Sequence, residues 1–307
     1  MNSLVKNFTW LIIVIILAAT GCNPNRSREI IDRAGRTVHI QGTPFNRIIS
    51  TAPSNTEIIV DLGQAHRLIA IDVHSENISG VPAGLPLLDF FYPDAEVIIN
   101  LQPDIIIASG HNPTGTGEDP FKLLQEMGIP VVYISMSKSI EDIYLDIEFI
   151  ADLLQAQKEG EELIRTTRAQ VSQIADKAAQ TAININKPTV YFEISAAPYM
   201  MTFGYDSFID DMISVIGAFN IFGNEHWLVM PGAESVIDRN PDVIITNVNY
   251  IDDPIEEIKN RPGFNHINAI INNRVYQIDT DSSSRPSARI VLALQQMAQA
   301  VYPGLYE

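Results

Sequence analysis

The stretch EVIINLQPDIII at residues 96–107 aligns without a gap on ESVIDRNPDVII at residues 234–245. Each copy reads as an acid that opens a short helix, a Pro-Asp pair that ends it, and a buried strand. Proline disfavours helix in the residue before it, so Pro-Asp marks a boundary. The 138-residue offset is far too long for a solenoid period and suits two lobes built alike.

Outward from these copies, short Ile/Val-rich runs alternate with helix-period segments. Strands are predicted at 47–51, 68–72, 104–109 and 131–135, with helices at 55–62, 94–100 and 120–127. The second half repeats the style, with strands at 189–194, 243–247 and 275–279 and helices at 206–216, 254–260 and 287–302. Such alternation predicts an α/β fold with parallel or mixed sheets. Between the halves, residues 137–186 hold no proline and one glycine, Gly160. From about Gln157 to Gln180 good helix formers dominate, and Leu163, Thr167, Val171, Ile174, Ala175 and Ala178 recur at helical spacing. At about 1.5 Å per residue this helix runs roughly 35 Å, enough to bridge two lobes. The expected organisation is a leader at 1–21, a tether at 22–28, a first α/β lobe at 29–156, an interdomain helix at 157–183 and a second α/β lobe at 184–307.

Composition narrows the function. The chain has 307 residues, 46 % apolar and 19 % charged, which excludes a disordered protein. With 20 basic against 37 acidic residues the net charge is −17, which argues against nucleic acid as a partner. One cysteine, Cys22, leaves no intramolecular disulfide and no cysteine zinc site. The apolar run from Phe8 to Thr20 is shorter than the roughly 20 residues that span a bilayer, but it has the length of a signal-peptide core. It leads into LAATGC at 17–22 and the polar NPNRS at 23–27, the pattern of a bacterial lipoprotein leader cleaved before Cys22, with lipid on the thiol. Ala19 stands where that pattern prefers leucine, and the plainer alternative is an uncleaved anchor. No phosphate-binding loop, HExxH or GxSxG motif is present, and Gly115 and Gly117 do not complete a dinucleotide fingerprint.

The stretch RIISTAPSNTEI at 47–58 with Leu62 and Gly63, the Pro-Asp strand at 103–107, the long middle helix and RPSARIV at 285–291 fall in a telling order. Together they resemble the extracytoplasmic binding proteins that feed ABC importers of iron–siderophore, haem and vitamin B12, over about residues 29–303. The resemblance implies two α/β lobes joined by one rigid helix, a ligand cleft between them and little movement on binding. It also implies a permease with its cytoplasmic ATPase as partners. The protein is then a monomer that performs no chemistry, holds no cofactor of its own and is lipid-anchored outside the bacterial cell membrane. A ferric siderophore ranks first as cargo, a corrinoid such as cobalamin second and haem third. Capture of bare zinc or manganese, a lipid-anchored enzyme and a purely structural surface lipoprotein are the rivals.

The same resemblance assigns Glu96 and Glu234 to permease docking, one per lobe, with Glu57 as the rival acid of the first lobe. Both repeat acids also suit the first turn of a helix. The cleft is expected along the loops at the carboxyl ends of the strands, which in the first lobe are 52–55, 73–76, 88–92 and 110–117. Phe90 and Tyr92, and Trp227 in the second lobe, are expected to offer aromatic faces to a macrocycle, with Phe91 in the core. Asp281 and Arg285 match a pair near the ligand in relatives, where the arginine forks onto an anionic group. His74 and His111, with His226 behind them, are candidate contacts or haem ligands. Tyr199, with Met200 and Met201, follows the first strand of the second lobe and completes the set.

Overall fold

The computed structural model describes residues 28–42, 44–110, 119–182 and 187–304. The described chain begins with an antiparallel hairpin of β1 (Arg28–Ile31) and β2 (Thr37–Ile40). Then come β3 (Ile48–Ser50), α1 (Pro53–Asp61), β4 (Leu68–Asp72), β5 (Leu87–Leu88), α2 (Ala95–Asn100), β6 (Ile105–Ser109), α3 (Lys122–Glu126) and β7 (Val131–Ile134). All five of the later strands are parallel, in the order β5-β4-β3-β6-β7. Two helices follow, α4 (Ile140–Leu154) and α5 (Gln157–Ala182).

The second half contains β8 (Thr189–Glu193), β9 (Thr202–Phe203), α6 (Phe208–Val215), β10 (Phe219–Asn220), β11 (Leu228–Val229) and α7 (Ala233–Arg239). It ends with β12 (Val243–Thr246), α8 (Pro254–Lys259), α9 (Asn268–Ile271), β13 (Val275–Gln277), α10 (Thr280–Ser284) and α11 (Ile290–Val301). Its parallel sheet runs β10-β8-β12-β13, with β9 and β11 paired apart from it. The two-lobe α/β expectation holds.

The internal repeat is structural as well as sequential. α2 and β6 stand in the first lobe as α7 and β12 stand in the second. Its Pro-Asp serves the same purpose twice. Asp104 Oδ2 accepts from the backbone N–H of Asn46 at 2.7 Å and Arg47 at 3.0 Å, which pins the chain entering β3 beside β6. Asp242 Oδ2 accepts from Thr189 N at 3.0 Å and Thr189 Oγ1 at 2.9 Å, which pins β8 beside β12. Burial raises the Asp242 carboxyl, but the hydrogen bonds from Thr189 and Asn268 outweigh it and hold it below its ordinary range.

Strand alternation divides the core. In β6, Ile105 and Ile107 point to one face of the sheet, and Ile106 and Ala108 to the other. The outer faces have separate cores, one around Phe121 and Tyr133 and one around Tyr191 and Phe264. The inner faces join a single cluster that runs from Ile48 and Ile143 through Ile209 and Met212 to Leu294 and Met297. The lobes therefore share apolar packing, and parting them would expose it to water.

Two elements were not legible in the sequence. The proline-free middle stretch is two helices, because Gln155 takes a left-handed conformation (φ +58°) and turns the chain between α4 and α5. No glycine or proline stands at that break, but the helix expected from Gln157 does begin there; the element that was not expected is α4. Gly160 is instead a contact point: a Cβ there would lie 2.5 Å from the Ala151 Cβ, so its absence lets α5 close onto α4. At 26 residues α5 is about 39 Å long, and it packs on α4 and on α11 of the second lobe. The second unexpected element is the β1–β2 hairpin. Its Asp32 accepts from the backbone N–H of Ala34 and Arg36 to form the turn, and from Tyr133 N at 3.0 Å to cover the open edge of β7.

Candidate binding cleft between the lobes

Parallel sheets present their working loops at the carboxyl ends of the strands. Here the loops after β3, β4, β6 and β7 meet those after β8, β12 and β13. Hollows of about 360 and 320 Å³ lie between them, and a third of about 240 Å³ adjoins these within the first lobe. The first two share Met136, Ser137, Ser284 and Pro286, and the last two share Ala52, Pro53, His74 and Ser109, so they form one groove.

The first two hollows differ in the side chains that line them. The largest hollow is apolar, with Ile194, Phe203, Phe208, Trp227, Val248 and Tyr250 of the second lobe and Met136 of the first. The antiparallel pairing of β9 with β11 sets Trp227. Gly204 N donates to the Trp227 carbonyl at 2.7 Å, and Trp227 N donates to the Tyr205 carbonyl at 2.9 Å. A Cβ on Gly204 would lie 2.0 Å from the Glu225 carbonyl oxygen, so only glycine permits this approach. Trp227 takes φ +55° and meets Phe203 edge-on at 5.2 Å.

The middle hollow is polar, with Ser54, Asn55, His74, Ser135, Asp146, Asp281 and Arg285. Asp146, only 1 % exposed, accepts from Ser137 Oγ at 2.9 Å and from Arg33 Nε of the N-terminal hairpin at 2.6 Å. Burial pushes its carboxyl up to about 6, against the pull of Arg33 and Ser137. Asp72, beneath the third hollow, is also raised by burial, and its Oδ1 accepts from His74 N at 2.9 Å to fix the loop after β4.

Arg285 reaches across the lobes. Its Nη1 donates to Glu57 Oε1 on α1 at 3.1 Å, and its Nη2 lies 2.8 Å from Asp281 Oδ1 and donates to the His74 carbonyl at 3.2 Å. Glu57 is 1 % exposed and also accepts from Ser287 Oγ at 2.6 Å, with Arg289 at 3.8 Å. Burial raises the Glu57 carboxyl, against the hydrogen bonds of Ser287 and Arg285 and the charge of Arg289. Arg289 closes the set on Asp61 at 3.2 Å.

Several sequence expectations are redirected by these positions. Phe90, expected to face the cleft, is buried at 1 % against Phe121 at 6.0 Å and forms part of the floor of the smallest hollow. Phe91, expected in the core, is 65 % exposed and lines that hollow. Asp89 causes the swap, because its carboxylate accepts from Phe91 N at 2.9 Å and turns the chain after β5. Glu57, the rival docking acid, is an interlobe tie instead of a surface group. Arg285 does pair with Asp281, but Glu57 is a second partner that the sequence did not suggest.

Other positions are simpler. His74 and Trp227 line the groove. Tyr92 and Tyr199 are exposed and line none of the three hollows, while Met200 is buried against Arg261. His226 is exposed beside Tyr205 and Asp206. Glu96 and Glu234 are both exposed in the first turns of α2 and α7. Cys22, the leader and His111 lie outside the described residues.

The sequence reading overlooked the loops at 135–137 and 247–250 and the buried Asp146. The strand-end rule would have found both loops had it been extended to the strands at 131–135 and 243–247. Asp146 and its partner Arg33 are 113 residues apart, and no local pattern joins them. Among the described residues no group of three or more His, Cys, Asp and Glu is placed to hold a metal ion, and no helix is long and apolar enough to cross a membrane.

Comparison with known proteins agrees with this geometry. Residues 48–282 match the family model described as periplasmic binding protein. An uncharacterized ABC transporter substrate-binding lipoprotein of Bacillus subtilis, YvrC, is 27 % identical over 281 residues, 91 % of this chain and 86 % of that protein. A vitamin B12-binding protein of Vibrio parahaemolyticus is 26 % identical over 83 % of this chain and 89 % of its own length. Among solved structures, a possible iron-binding (periplasmic solute-binding) protein of Staphylococcus epidermidis superposes with a TM-score of 0.75 at 32 % identity, covering 85 % of this chain and all of that one. The vitamin B12-binding protein of Vibrio cholerae has the same fold, with a TM-score of 0.69 at 23 % identity over 86 % of this chain and 99 % of its own.

Proposed function

Because this chain belongs to the periplasmic binding protein family, we propose that it is the extracytoplasmic receptor of an ABC importer and carries a bulky metal chelate in the interlobe groove. The observation that carries the reading is the groove itself: three adjoining hollows walled by strand-end loops of both sheets. A hollow walled by aromatic side chains next to one lined by serines, Asn55 and His74 suits a large ligand with one flat face and one hydrogen-bonding edge. Relatives named for vitamin B12 and iron support a metal chelate as the class of cargo. The family and the substrate-binding relative support a protein that binds and releases its cargo unchanged.

The chain is held outside the membrane by lipid on Cys22. This rests on the LAATGC pattern at 17–22 and on the Bacillus relative described as a lipoprotein. Glu96 and Glu234 dock the permease. Each is exposed and equivalently placed in its lobe, and two charges on one body fix orientation as well as contact. The test is direct. In the chain from residue 23, which keeps every described residue, Trp227 is the sole tryptophan and sits in the groove wall, so its fluorescence reports the cleft. A bound chelate must perturb it. The double reversal Glu96→Lys with Glu234→Lys is expected to cut uptake by about tenfold or more and leave the chelate Kd unchanged within about twofold. A weakened Kd would move those acids into the cleft.

A further inference from the structure

The groove is poor in positive charge, and this bears on what it holds. Among the residues lining the three hollows Arg285 is the one arginine or lysine, with the imidazole of His74 beside it, whereas Asp72, Asp146 and Asp281 are acidic. Arg285 is also already engaged. Its guanidinium lies between Glu57 at 3.1 Å and Asp281 at 2.8 Å, with the His74 carbonyl at 3.2 Å, and its side chain is 15 % exposed. Arg33 is spent on Asp146 and Arg289 on Asp61 and Glu57. Lys138, next along the chain from Ser137, turns to Asp206 at 3.5 Å. Residues 111–118 contain no lysine or arginine.

An anionic chelate would need to take Arg285 from Glu57, a carboxylate only 1 % exposed, and leave that group buried beside Arg289 and Ser287. Removing one partner from a buried pair is the costly way to break it. The same ligand would approach Asp72, Asp146 and Asp281. Burial raises the carboxyls of the first two, and neither shift adds positive charge to the groove.

We infer that the groove selects a chelate without net negative charge, whose apolar face rests on Trp227 and Phe203 and whose neutral hydrogen-bonding rim meets Ser54, Asn55 and Ser135, and that Arg285 is an interlobe tie and not the site of a ligand anion. This deepens the proposed function and rests on it. It also reverses the role expected for Arg285 from the sequence. Serine hydroxyls and an asparagine amide both donate and accept, which suits amide and carbonyl groups on a ligand rim.

The experiment uses the chain from residue 23 and four probes at 50 and 500 mM NaCl, read by Trp227 fluorescence. Cyanocobalamin and ferrichrome carry no net charge, a ferric tris-catecholate is trianionic and haemin bears two carboxylates. The expected result is at least one neutral chelate bound about 30-fold or more tighter than either anionic one, with a Kd that changes less than about threefold over the salt range. The double variant Glu57→Gln with Arg285→Gln, which removes both charges together, is expected to hold the neutral chelate within about fivefold of the parent. An anionic chelate bound as tightly as the neutral ones, or weakened more than about tenfold by salt or by the double variant, overturns the inference while the receptor reading stands. Silence toward all four probes overturns the receptor reading itself, and this inference falls with it.

Discussion

The segments from Ala95 to Ser109 and from Ala233 to Thr246 follow the same course of helix, Pro-Asp and strand, and Asp104 and Asp242 each pin a neighbouring parallel strand. Their surroundings diverge. The first lobe brings serines, Asn55, His74 and Asp146 to the groove, whereas the second adds the aromatic groups Phe203, Phe208, Trp227 and Tyr250 to polar groups of its own such as Asn247, Thr280, Asp281 and Arg285. The repeat thus fixes the skeleton, and the loops hung on it decide what each wall can hold. A ligand held between unlike walls has its orientation set before any single contact is strong.

The comparison can be broken hardest at the adjacent aromatics of the first lobe. Phe90→Ala is expected to destabilise the protein by about 3–5 kcal/mol, because it empties a packed site beside Phe121. Phe91→Ala should stay within about 0.5 kcal/mol and act on ligand affinity instead. Urea unfolding checks both. Equal losses would put Phe91 in the core after all.

A second contrast is in pH. The Asp146 carboxyl is raised to about 6 in the fold, so it binds a proton more tightly folded than unfolded. Its contribution is fully present below the ordinary aspartate range and is lost as pH rises through about 6. For a shift of about two units this is worth roughly 3 kcal/mol at most. Asp242 is lowered and has the opposite sign: its contribution is present above the ordinary range and lost in acid. Urea midpoints between pH 4 and 7 should decline less steeply toward neutrality in Asp146→Asn than in the parent. An unchanged slope would mean that Asp146 titrates normally.

The smallest effect sharpens the repeat itself. Asp104→Ala and Asp242→Ala should each cost about 1–3 kcal/mol, since each orphans backbone donors at a strand start. Asp242 is expected to cost more, because it is half-buried and also serves Thr189 Oγ1 and Asn268, while Asp104 is exposed. A reversed order would show that the two copies are not equivalent supports.

The sequence carried the fold far because the fold is written in local terms. Apolar runs of strand length, a Pro-Asp boundary and a helical spacing from Leu163 to Ala178 are each contained in a short window, and periodicity reports them directly. Even the likeness of the two lobes was visible as a gapless alignment. The groove was located as a set of strand-end loops for the same reason, since topology alone decides where those ends fall.

What the sequence could not decide were choices between near neighbours in the chain and meetings between distant parts of it. Phe90 and Phe91 are equally apolar, and only the turn at Asp89 chose which one faces the core. At Gln155 a residue of ordinary type takes the left-handed conformation, and only the change in composition from Gln157 marked where the long helix begins, while α4 before it went unread. Above all, Arg285 and Glu57 are 228 residues apart, and no spacing rule connects them. A charge reads as available or committed only once its partner is known, and partners are set by how the lobes close on one another. The sequence by itself determined the two α/β halves and the rod between them, while the tertiary structure decided which charges were left for a ligand.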